Sequence, residues 1–467
     1  MKMAKVTADL TAFFEPNSIA IIGSFRPSFF GGYVVVKSLL HGGYAGRIVP
    51  VNPSYKEVLG LPVYPSLKKV KYPVDLALIM INSRSVPYVI KDCAQKGVKA
   101  AIIVADGFAE RDAQGARLQR EIVEIANQAG IRLMGPNTAG VVNTHKQFYP
   151  CPYESGYDSI RQGAIALVSQ TGMTNPQAFP YSDFHCGISK ICDLGNKCDV
   201  DECDLLQYLA DDESTSVVGM YLESIKDGNR FLRIARSITT RKPVLVVKAG
   251  RTSQGAKASA SHTGSMAVND LIFDAVCRQS RVLRLDTFAE LFDVPKIFAT
   301  QPPLKGNRLG ILTITGGMAV MALDCCARYG LKLATLGKRT VSLLDSVFPG
   351  SGHMPVDIGP MMAAVRDAFS QYPDILDAIM ADENIDALLH ILWAHPSGNI
   401  IENYIRAYKR IKGKHQKPIA TWIYGPNSQA VRDLGFQLED MGYPVFKDLD
   451  TAVKALGLAL QYANTQF

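Results

Sequence analysis

The sequence predicts an α/β protein made of three successive domains, each built on a parallel sheet. A chain of 467 residues is too long to fold around a single hydrophobic core. Short apolar, β-branched runs alternate with segments of helical periodicity along the chain, which is typical of βαβ units. Hydrophobic residues make up 47% and charged residues 20%, the composition of a folded globular protein.

The first domain is predicted over residues 1–150. Strands are expected at 19–22, 48–51, 76–81 and 101–104, and helices at 33–40, 86–95 and 116–129. The strand predicted at 19–22 leads through Gly23, Ser24 and Arg26 to Gly31-Gly32 and a helix. Glycines let backbone N–H groups approach an anion at a helix N-terminus, so this turn predicts a nucleotide or phosphate site. The spacing is not Gly-x-Gly-x-x-Gly, which disfavours a plain NAD site.

The second and third domains are predicted over 151–300 and 301–467, after a polar stretch at 145–162 and a Pro-rich linker at 301–307. In each, a strand passes through a glycine-containing turn into a helix, at Gln170-Thr171-Gly172 and at Gly316-Gly317-Met318. These turns also suit phosphate. Further strands are expected at 164–168, 243–249, 309–314, 387–392, 418–423 and 444–446, and a helix at 266–278.

A single histidine, His262, lies among small hydroxyl and glycine residues in the run Ser259-Ala-Ser-His-Thr-Gly-Ser-Met266. This run follows the apolar strand predicted at 243–249, so we expect His262 on a loop at the carboxyl edge of a parallel sheet, where such sheets bind ligands. Small neighbours leave the imidazole accessible, as a phosphoryl acceptor must be. From the residues alone, a loop histidine without a function is an equal alternative.

Charge and cysteine usage exclude several classes of protein. The net charge of +7 is modest and no block of like charges occurs, so nucleic acid is not implied. No signal peptide or membrane-length apolar run is present, and we expect a cytoplasmic protein. None of the nine cysteines forms a Cys-x-x-Cys pair, so no metal site is predicted. The group Cys186, Cys192, Cys198 and Cys203 is expected to be buried as small apolar side chains.

Eight short motifs, in order, resemble one family along nearly the whole chain. They are Ser18-Ile-Ala-Ile-Ile-Gly23, Val51-Asn52-Pro53, Gly107-Phe-Ala-Glu110, Gly135-Pro-Asn137, Ser169-Gln-Thr-Gly172, Leu194-Gly-Asn-Lys197, Tyr221-Leu-Glu223 and Ser261-His-Thr-Gly264. The chain resembles the α subunit of the ADP-forming (NDP-forming) acetyl-CoA or acyl-CoA synthetases, which are related to succinyl-CoA synthetase. The resemblance implies an N-terminal, CoA-binding, Rossmann-like domain followed by two flavodoxin-like domains.

Four positions depart from the family pattern. Thr171 stands where serine is usual, which keeps the hydroxyl group, and Thr138 stands where cysteine often follows Asn137. Val268 replaces a glycine, and Met354-Pro-Val-Asp357 replaces Asn-Pro-x-Asp. The last change lies near the expected acyl end of the site and leaves the identity of the acid open.

The resemblance implies roles for particular residues. His262 would be the phosphorylated nucleophile, and Glu223 would accept a hydrogen bond from its other ring nitrogen. Phosphate would lie at two helix N-termini, which follow Gln170, Thr171, Gly172 and Gly316, Gly317, Met318. CoA would lie along the first sheet, near Gly23, Ser24, Arg26, Val51, Asn52, Pro53, Ile81, Asn82 and Ser83.

The resemblance also implies a partner. No Gly-x-x-x-x-Gly-Lys-[Ser/Thr] loop and no ATP-grasp pattern is found in the sequence. The resemblance implies that ATP or ADP with Mg²⁺ binds on a separate ATP-grasp β subunit, in a heterotetramer. The loop from about residue 250 to 265 would swing toward that subunit. Inorganic phosphate, CoA and a small carboxylic acid or its acyl-CoA complete the reactants.

Two other functions stay open. A CoA-binding or CoA-sensing protein could retain the fold without the chemistry, although such a protein would need neither His262 nor Glu223. An NAD-dependent oxidoreductase is disfavoured by the glycine spacing, but Rossmann-like folds host many activities. The acid, the choice between ADP and GDP, and the direction of the reaction are not predicted.

Overall fold

A computed structural model describes residues 9–154, 156–263, 269–365, 368–396 and 399–465 of the chain. The chain divides into two compact units, Met1–Phe288 and Ala289–Phe467. Among the helices in the described ranges, none has the length and apolarity that crossing a bilayer requires.

The first unit contains two parallel sheets. Its strands are β1 (Ser18–Gly23), β2 (Arg47–Val51), β3 (Glu57–Val58), β4 (Leu61–Pro62), β5 (Leu76–Met80), β6 (Ala100–Ile103), β7 (Arg132–Met134), β8 (Val141–Asn143), β9 (Gln162–Ser169), β10 (Ile188–Asp193), β11 (Val217–Leu222), β12 (Val244–Lys248) and β13 (Leu283–Leu285). Its α-helices are α1 (Thr11–Phe14), α2 (Gly32–His41), α3 (Val86–Lys96), α4 (Ala113–Ala129), α5 (Glu202–Asp211), α6 (Gly228–Ile238), α7 (Ser253–Thr263) and α8 (Asp270–Ser280).

The strand order places the ends of particular strands together. The first sheet has the order β2-β1-β5-β6-β7, and the second has β13-β12-β11-β9-β10-β8, in which only β8 is antiparallel to its neighbour. Counted along the chain without the β3-β4 hairpin and β8, both sheets follow the doubly wound order 2-1-3-4-5. The order reverses beside β1 in the first sheet and beside β9 in the second, and ligands bind at such points, outside the carboxyl ends of the strands.

The second unit is a third sheet of the same kind. Its strands are β14 (Arg308–Thr313), β15 (Lys332–Leu333), β16 (Val356–Asp357), β17 (Ala387–Trp393), β18 (Ile419–Tyr424) and β19 (Val445–Phe446). Its helices are α9 (Glu290–Asp293), α10 (Pro295–Thr300), α11 (Gly316–Arg328), α12 (Lys338–Val347), α13 (Gly359–Ala364), α14 (Tyr372–Ala381), α15 (Ile400–Ile411), α16 (Ser428–Asp440) and α17 (Leu449–Asn464). The strand order is β15-β14-β17-β18-β19, all parallel, with β16 beside β14.

The predicted α/β class and the parallel sheets are confirmed. The central strands are apolar because both faces are covered, and all six residues of β1 are buried. Helices α3 and α4 end at Gly97 and Gly130, both at positive φ, which glycine adopts without a steric penalty. The domain boundaries at about 150 and 300 remain predictions.

The loop predicted around His262 is wrong over most of its length, because residues 253–263 form helix α7. Thr252 caps this helix, since its Oγ1 accepts the Gly255 N–H at 3.1 Å. Serines and glycines suggested a loop, but the alanines at 256, 258 and 260 favour a helix once it is capped. Residues 264–268 and the side chain of His262 lie outside the described part of the structure. The next helix begins at Asp270 and not at 266.

The helix predicted after Gln170-Thr171-Gly172 is also wrong. A single 3₁₀ turn, Gly172–Thr174, follows β9, and no α-helix occurs in the fully described stretch between Gln170 and β10. Pro176 and Pro180 are the physical reason, because proline inside a helix lacks the N–H donor and its ring clashes with the preceding turn. The positive helix terminus expected at this turn is therefore absent.

The third sheet buries a histidine between two tyrosines. His390, on β17, is fully buried and stacks on the rings of Tyr372 and Tyr408. Its Nε2 is hydrogen-bonded to the Tyr372 hydroxyl, its Nδ1 lies 2.7 Å from the Tyr408 hydroxyl, and that hydroxyl lies 2.8 Å from Thr421 Oγ1. Burial lowers the pKa of His390 to about 3, so the imidazole is neutral in the folded protein.

This buried histidine makes the second unit acid-sensitive. The unfolded chain protonates His390 near pH 6.5 and the folded chain only near 3, so the unfolded state binds more protons as the pH falls. We expect the free energy of unfolding of wild type, relative to His390→Asn, to decline by up to about 1.4 kcal/mol per pH unit below 6.5. Both tryptophans of the chain, Trp393 and Trp422, lie on β17 and β18, so their fluorescence during urea unfolding of the full chain reports this unit.

The control is His353→Asn, which replaces an exposed histidine of the same unit and leaves the buried His390 in place. A stability difference between wild type and His390→Asn that stays constant from pH 7 to pH 4 would contradict the assignment.

Candidate functional site

A cleft of about 590 Å³ opens where the carboxyl ends of the two sheets of the first unit face each other. Ile81, Asn82 and Ser83 after β5, and Gln170, Thr171 and Gly172 after β9, are among its lining residues, as is Asp193 at the end of β10. The structure thus brings together residues predicted to bind CoA and residues predicted to bind phosphate. Phe30, Arg111, Asn137, Thr138 and Tyr153 also line the cleft and were not predicted.

The other predicted CoA residues lie at the neighbouring edge of the first sheet and are not among those lining the cleft in the described chain. Asn52, after β2, donates from Nδ2 to the carbonyl oxygen of Gly23 at 2.8 Å. A Cβ atom at Gly23 would lie 3.1 Å from the carbonyl oxygen of Met80, so glycine permits the close packing of β1 against β5. Ser24, Arg26 and Pro53 are exposed beside it, whereas Val51 is buried.

Gln170 connects the ends of β9 and β11. Its buried side chain accepts the backbone N–H groups of Glu223 and Ser224 at Oε1, at 2.6 and 2.9 Å, and donates from Nε2 to Ser224 Oγ at 3.2 Å. Its backbone N–H donates to the carbonyl oxygen of Tyr221 at 3.1 Å. The amide oxygen is thereby committed to the segment after β11, so Gln170 positions Glu223.

Glu223 follows β11 directly and is only 5% exposed, so it is not a solvated surface carboxylate. The hydroxyl of Tyr221 donates to its Oε1 at 3.3 Å. Burial, together with the charge of Glu223, raises the pKa of Tyr221 to about 12, so this phenol remains a donor at neutral pH. A buried carboxylate at the reversal point of the second sheet suits a role in orienting a cationic or proton-donating group.

Asp193, which is among the residues that line the cleft, carries a second buried carboxyl group at this edge. Its two oxygens accept the N–H groups of Ala139 at 2.7 Å and Gly195 at 3.1 Å. Burial raises its pKa to about 6, with a smaller contribution from the charge of Glu223, while the two N–H groups oppose the rise. The sequence signal was available, because this aspartate directly precedes the Leu194–Lys197 motif.

Lys197 closes that motif and lies beneath the Glu223 segment. Its buried ammonium donates to Glu202 Oε2 at 2.9 Å and to the carbonyl oxygen of Ser224 at 2.7 Å. Together with Gln170, it fixes the backbone on both sides of Ser224. Removing one partner of such a buried, hydrogen-bonded ion pair strongly destabilises the folded protein.

In the second unit, the predicted turn Gly316-Gly317-Met318 opens helix α11, as the sequence indicated. Its N-cap residue, Thr315, makes no capping hydrogen bond with its side chain, and Gly316 and Gly317 are exposed. The N-terminus of α11 therefore has backbone N–H groups available for an anion. Asp357, from the Met354–Asp357 segment, accepts the N–H of Gly359 at 2.9 Å nearby.

Within the described ranges, no group of three or more His, Cys, Asp or Glu side chains is arranged to hold a metal ion. All nine cysteines are free thiols, and Cys192 and Cys203 of the predicted group are buried. Cys186 and Cys198 are only partly buried.

Two family models match the chain. Residues 17–144 match a CoA binding domain, and residues 162–298 match a succinyl-CoA ligase like flavodoxin domain. The acetate–CoA ligase [ADP-forming] II of Archaeoglobus fulgidus is 39% identical over 461 residues, covering 98% of this chain and 67% of that protein. The acetate–CoA ligase [ADP-forming] II subunit alpha of Pyrococcus furiosus is 35% identical, covering 97% of this chain and 98% of that subunit.

A solved structure shares the fold over almost the full length. The dinucleotide forming acetyl-coenzyme A synthetase 1 of Ca. Korarchaeum cryptofilum, in complex with phosphate and ADP, superposes with a TM-score of 0.89 at 30% identity, covering 98% of this chain and 97% of that chain. Some relatives with the same ligase name are longer, and the chain spans 63% and 48% of the length of two of them.

Proposed function

The chain belongs to the family of ADP-forming acetate–CoA ligases, and we propose that it is the CoA-binding, phosphoryl-carrying α subunit of such an enzyme. The reaction interconverts acyl-CoA, ADP and phosphate with the free acid, ATP and CoA. The observation that carries the proposal is the buried Glu223, which Gln170 positions at the reversal point of the second sheet, beside a cleft shared with the CoA-binding domain. A protein that only bound CoA would not need this carboxylate.

The reaction divides into three transfers. An oxygen of inorganic phosphate attacks the acyl carbon in the cleft, the C–S bond breaks, and CoA leaves as a thiolate that takes up a proton. A neutral ring nitrogen of His262 then attacks the phosphorus of the acyl phosphate, and the P–O bond breaks to release the carboxylate. The phosphoryl group finally passes from His262 to the terminal phosphate oxygen of ADP.

Glu223 acts on the second transfer. As a hydrogen-bond acceptor for the N–H of the imidazole, it would select the tautomer whose free nitrogen attacks phosphorus, and it would stabilise the charge that develops on the ring. Asn82, Ser83 and Arg111 supply hydrogen-bond donors in the cleft for the anionic parts of CoA and phosphate. The exposed edge at Ser24, Arg26 and Pro53 would hold the remainder of CoA.

The third transfer requires a nucleotide site, which we place on an ATP-grasp β subunit together with Mg²⁺, in an assembly of two α and two β chains. The P. furiosus relative is itself named as an alpha subunit, which supports a division of the enzyme between two chains. The two sheets of the first unit match a CoA binding domain and a succinyl-CoA ligase like flavodoxin domain, which supports placing the nucleotide on another chain.

We therefore expect the purified chain alone to bind CoA but to form no thioester from acetate, ATP, Mg²⁺ and CoA. Activity should appear when an ATP-grasp β chain of this family is added. CoA binding is measured by calorimetric titration and thioester formation by chromatography of the CoA products. Steady turnover by the single chain would overturn the two-subunit proposal. CoA binding without activity, with every β chain and acid tested, would favour the CoA-sensing alternative.

A further inference from the structure

One buried lysine differs from the others in its surroundings. The buried lysines of the described chain are Lys190, Lys197, Lys248, Lys296 and Lys454. Four of them have a carboxylate partner at 2.7 to 2.9 Å. Among the described residues, Lys248 has no carboxylate oxygen within ion-pair distance, and the only hydrogen-bond acceptor of its ammonium is the carbonyl oxygen of Ala249.

A buried ammonium without a counter-ion is costly, so proteins pair such groups or use them to bind a ligand. Burial lowers the pKa of Lys248. The charges of Asp270 and Glu223 raise it, and those of Arg284 and Lys197 lower it further. The charged side chains around Lys248 are thus of both signs, and none of these four forms an ion pair with its ammonium.

The location of Lys248 indicates what the missing partner is. Lys248 is the last residue of β12 and pairs with Leu222, the last residue of β11. The N–H of Ala249 donates to the carbonyl oxygen of Leu222 at 2.9 Å, which continues the pairing to the level of Glu223. Four residues after Lys248 the chain reaches Thr252, which caps the helix that contains His262. The cation therefore lies at the sheet edge where the proposed phosphoryl transfer takes place.

We propose that the ammonium of Lys248 binds an oxygen of the phosphate or phosphoryl group at this edge. The proposal rests on the proposed function for the identity of the anion. A phosphoryl group carries nearly two negative charges and would be repelled by the carboxylate of Glu223. A cation in a site shielded from water offsets that repulsion and stabilises the charge on the transferring oxygens. The long, flexible lysine stem lets the ammonium leave Ala249 and reach the anion.

The test compares Lys248→Met with Lys248→Arg and a matched control. Methionine has a similar volume and no charge, and because the lysine has no ion-pair partner in the described ranges, this variant should unfold at or above the wild-type temperature. The control is Lys242→Met, two residues before the start of the same strand, where the lysine ammonium donates to the carbonyl oxygens of Leu209 at 2.8 Å and Asp212 at 2.6 Å. It removes a second lysine next to the same strand, at the end away from the proposed anion site.

The first measurement is equilibrium dialysis of the full chain against labelled inorganic phosphate at constant ionic strength. We expect about a tenfold or greater loss of affinity in Lys248→Met, near wild-type affinity in Lys242→Met, and substantial recovery in Lys248→Arg. Equal affinity in wild type and Lys248→Met, or no phosphate binding by wild type, would overturn the proposal.

The second measurement is the rate at which labelled acetyl phosphate phosphorylates the full chain, which should fall in Lys248→Met by a similar factor. The two measurements separate the possible failures. If phosphate binding depends on Lys248 but no acyl phosphate labels the wild-type chain, the anion site stands and the proposed transfer to His262 fails. If labelling is normal in Lys248→Met, the proposed function stands and the role of Lys248 is disproved.

Discussion

Replacing His262 by asparagine should abolish phosphorylation of the chain, and with it all interconversion of acyl-CoA and ATP. Asparagine is polar and of similar size, but its amide nitrogen is not nucleophilic and cannot carry a phosphoryl group. Incubation of the intact complex with labelled ATP and Mg²⁺ should give acid-labile, base-stable label in wild type and none in His262→Asn. CoA binding should be unchanged, because the proposed CoA contacts lie on the first sheet and in the cleft.

The matched control for this variant is His145→Asn in the same unit. His145 is exposed, and its Nε2 lies 2.8 Å from the carbonyl oxygen of Gly163, away from the carboxyl edge of the second sheet. That variant should be labelled as wild type is. Label that persists in His262→Asn would place the phosphorylated residue elsewhere in the chain, and the candidate site would have to be reassigned.

The parts of the fold that could be predicted are those with a local signal. Strands such as β1 and β12 are continuous apolar runs with β-branched residues, and α3 ends at Gly97. Pairings between distant segments have no such signal. Strand β8 joins the second sheet antiparallel to β10, which begins 45 residues after it, and nothing within Val141–Asn143 indicates that partner.

The errors near the site arise from competing local effects. Serine and glycine between 253 and 263 suggested a loop, but the cap at Thr252 and several alanines gave a helix. A glycine turn after β9 suggested a helix, but two prolines prevented it. In both cases the composition indicated a change of structure at the correct place but did not determine which structure follows.

In the candidate site, the sequence motifs predicted which residues are present, whereas the contacts of those residues became known only from the structure. Glu223 was predicted from its motif, and the structure places it in a buried position. Gln170 was predicted to bind phosphate, whereas its amide oxygen accepts two N–H groups of the Glu223 segment. Among the residues that the structure describes, Lys248 has no ion-pair partner, and this depends on residues distant in sequence, so it becomes visible only in three dimensions.

Replacing Glu223 by glutamine should slow phosphorylation of His262 by about a hundredfold or more, the usual scale for a positioned acid–base group. Glutamine has nearly the same shape and its carbonyl oxygen still accepts a hydrogen bond, but it lacks the charge that stabilises the developing imidazolium. The backbone N–H of residue 223 still donates to Gln170, so the fold should be retained. Single-turnover labelling by acetyl phosphate gives the rate, and thermal unfolding gives the stability.

Gln170 allows a sharper test of the same carboxylate. Gln170→Met removes the acceptor of two buried N–H groups and should both lower the unfolding temperature and slow phosphorylation. If Gln170 acts through Glu223, the double variant should be little slower than Glu223→Gln alone, because residues that act as a unit are not additive. Glu439→Gln, at a buried ion pair with Lys296 in the second unit, controls for loss of a buried carboxylate. Additive rate effects, or a wild-type rate in Glu223→Gln, would show that the carboxylate does not orient the histidine.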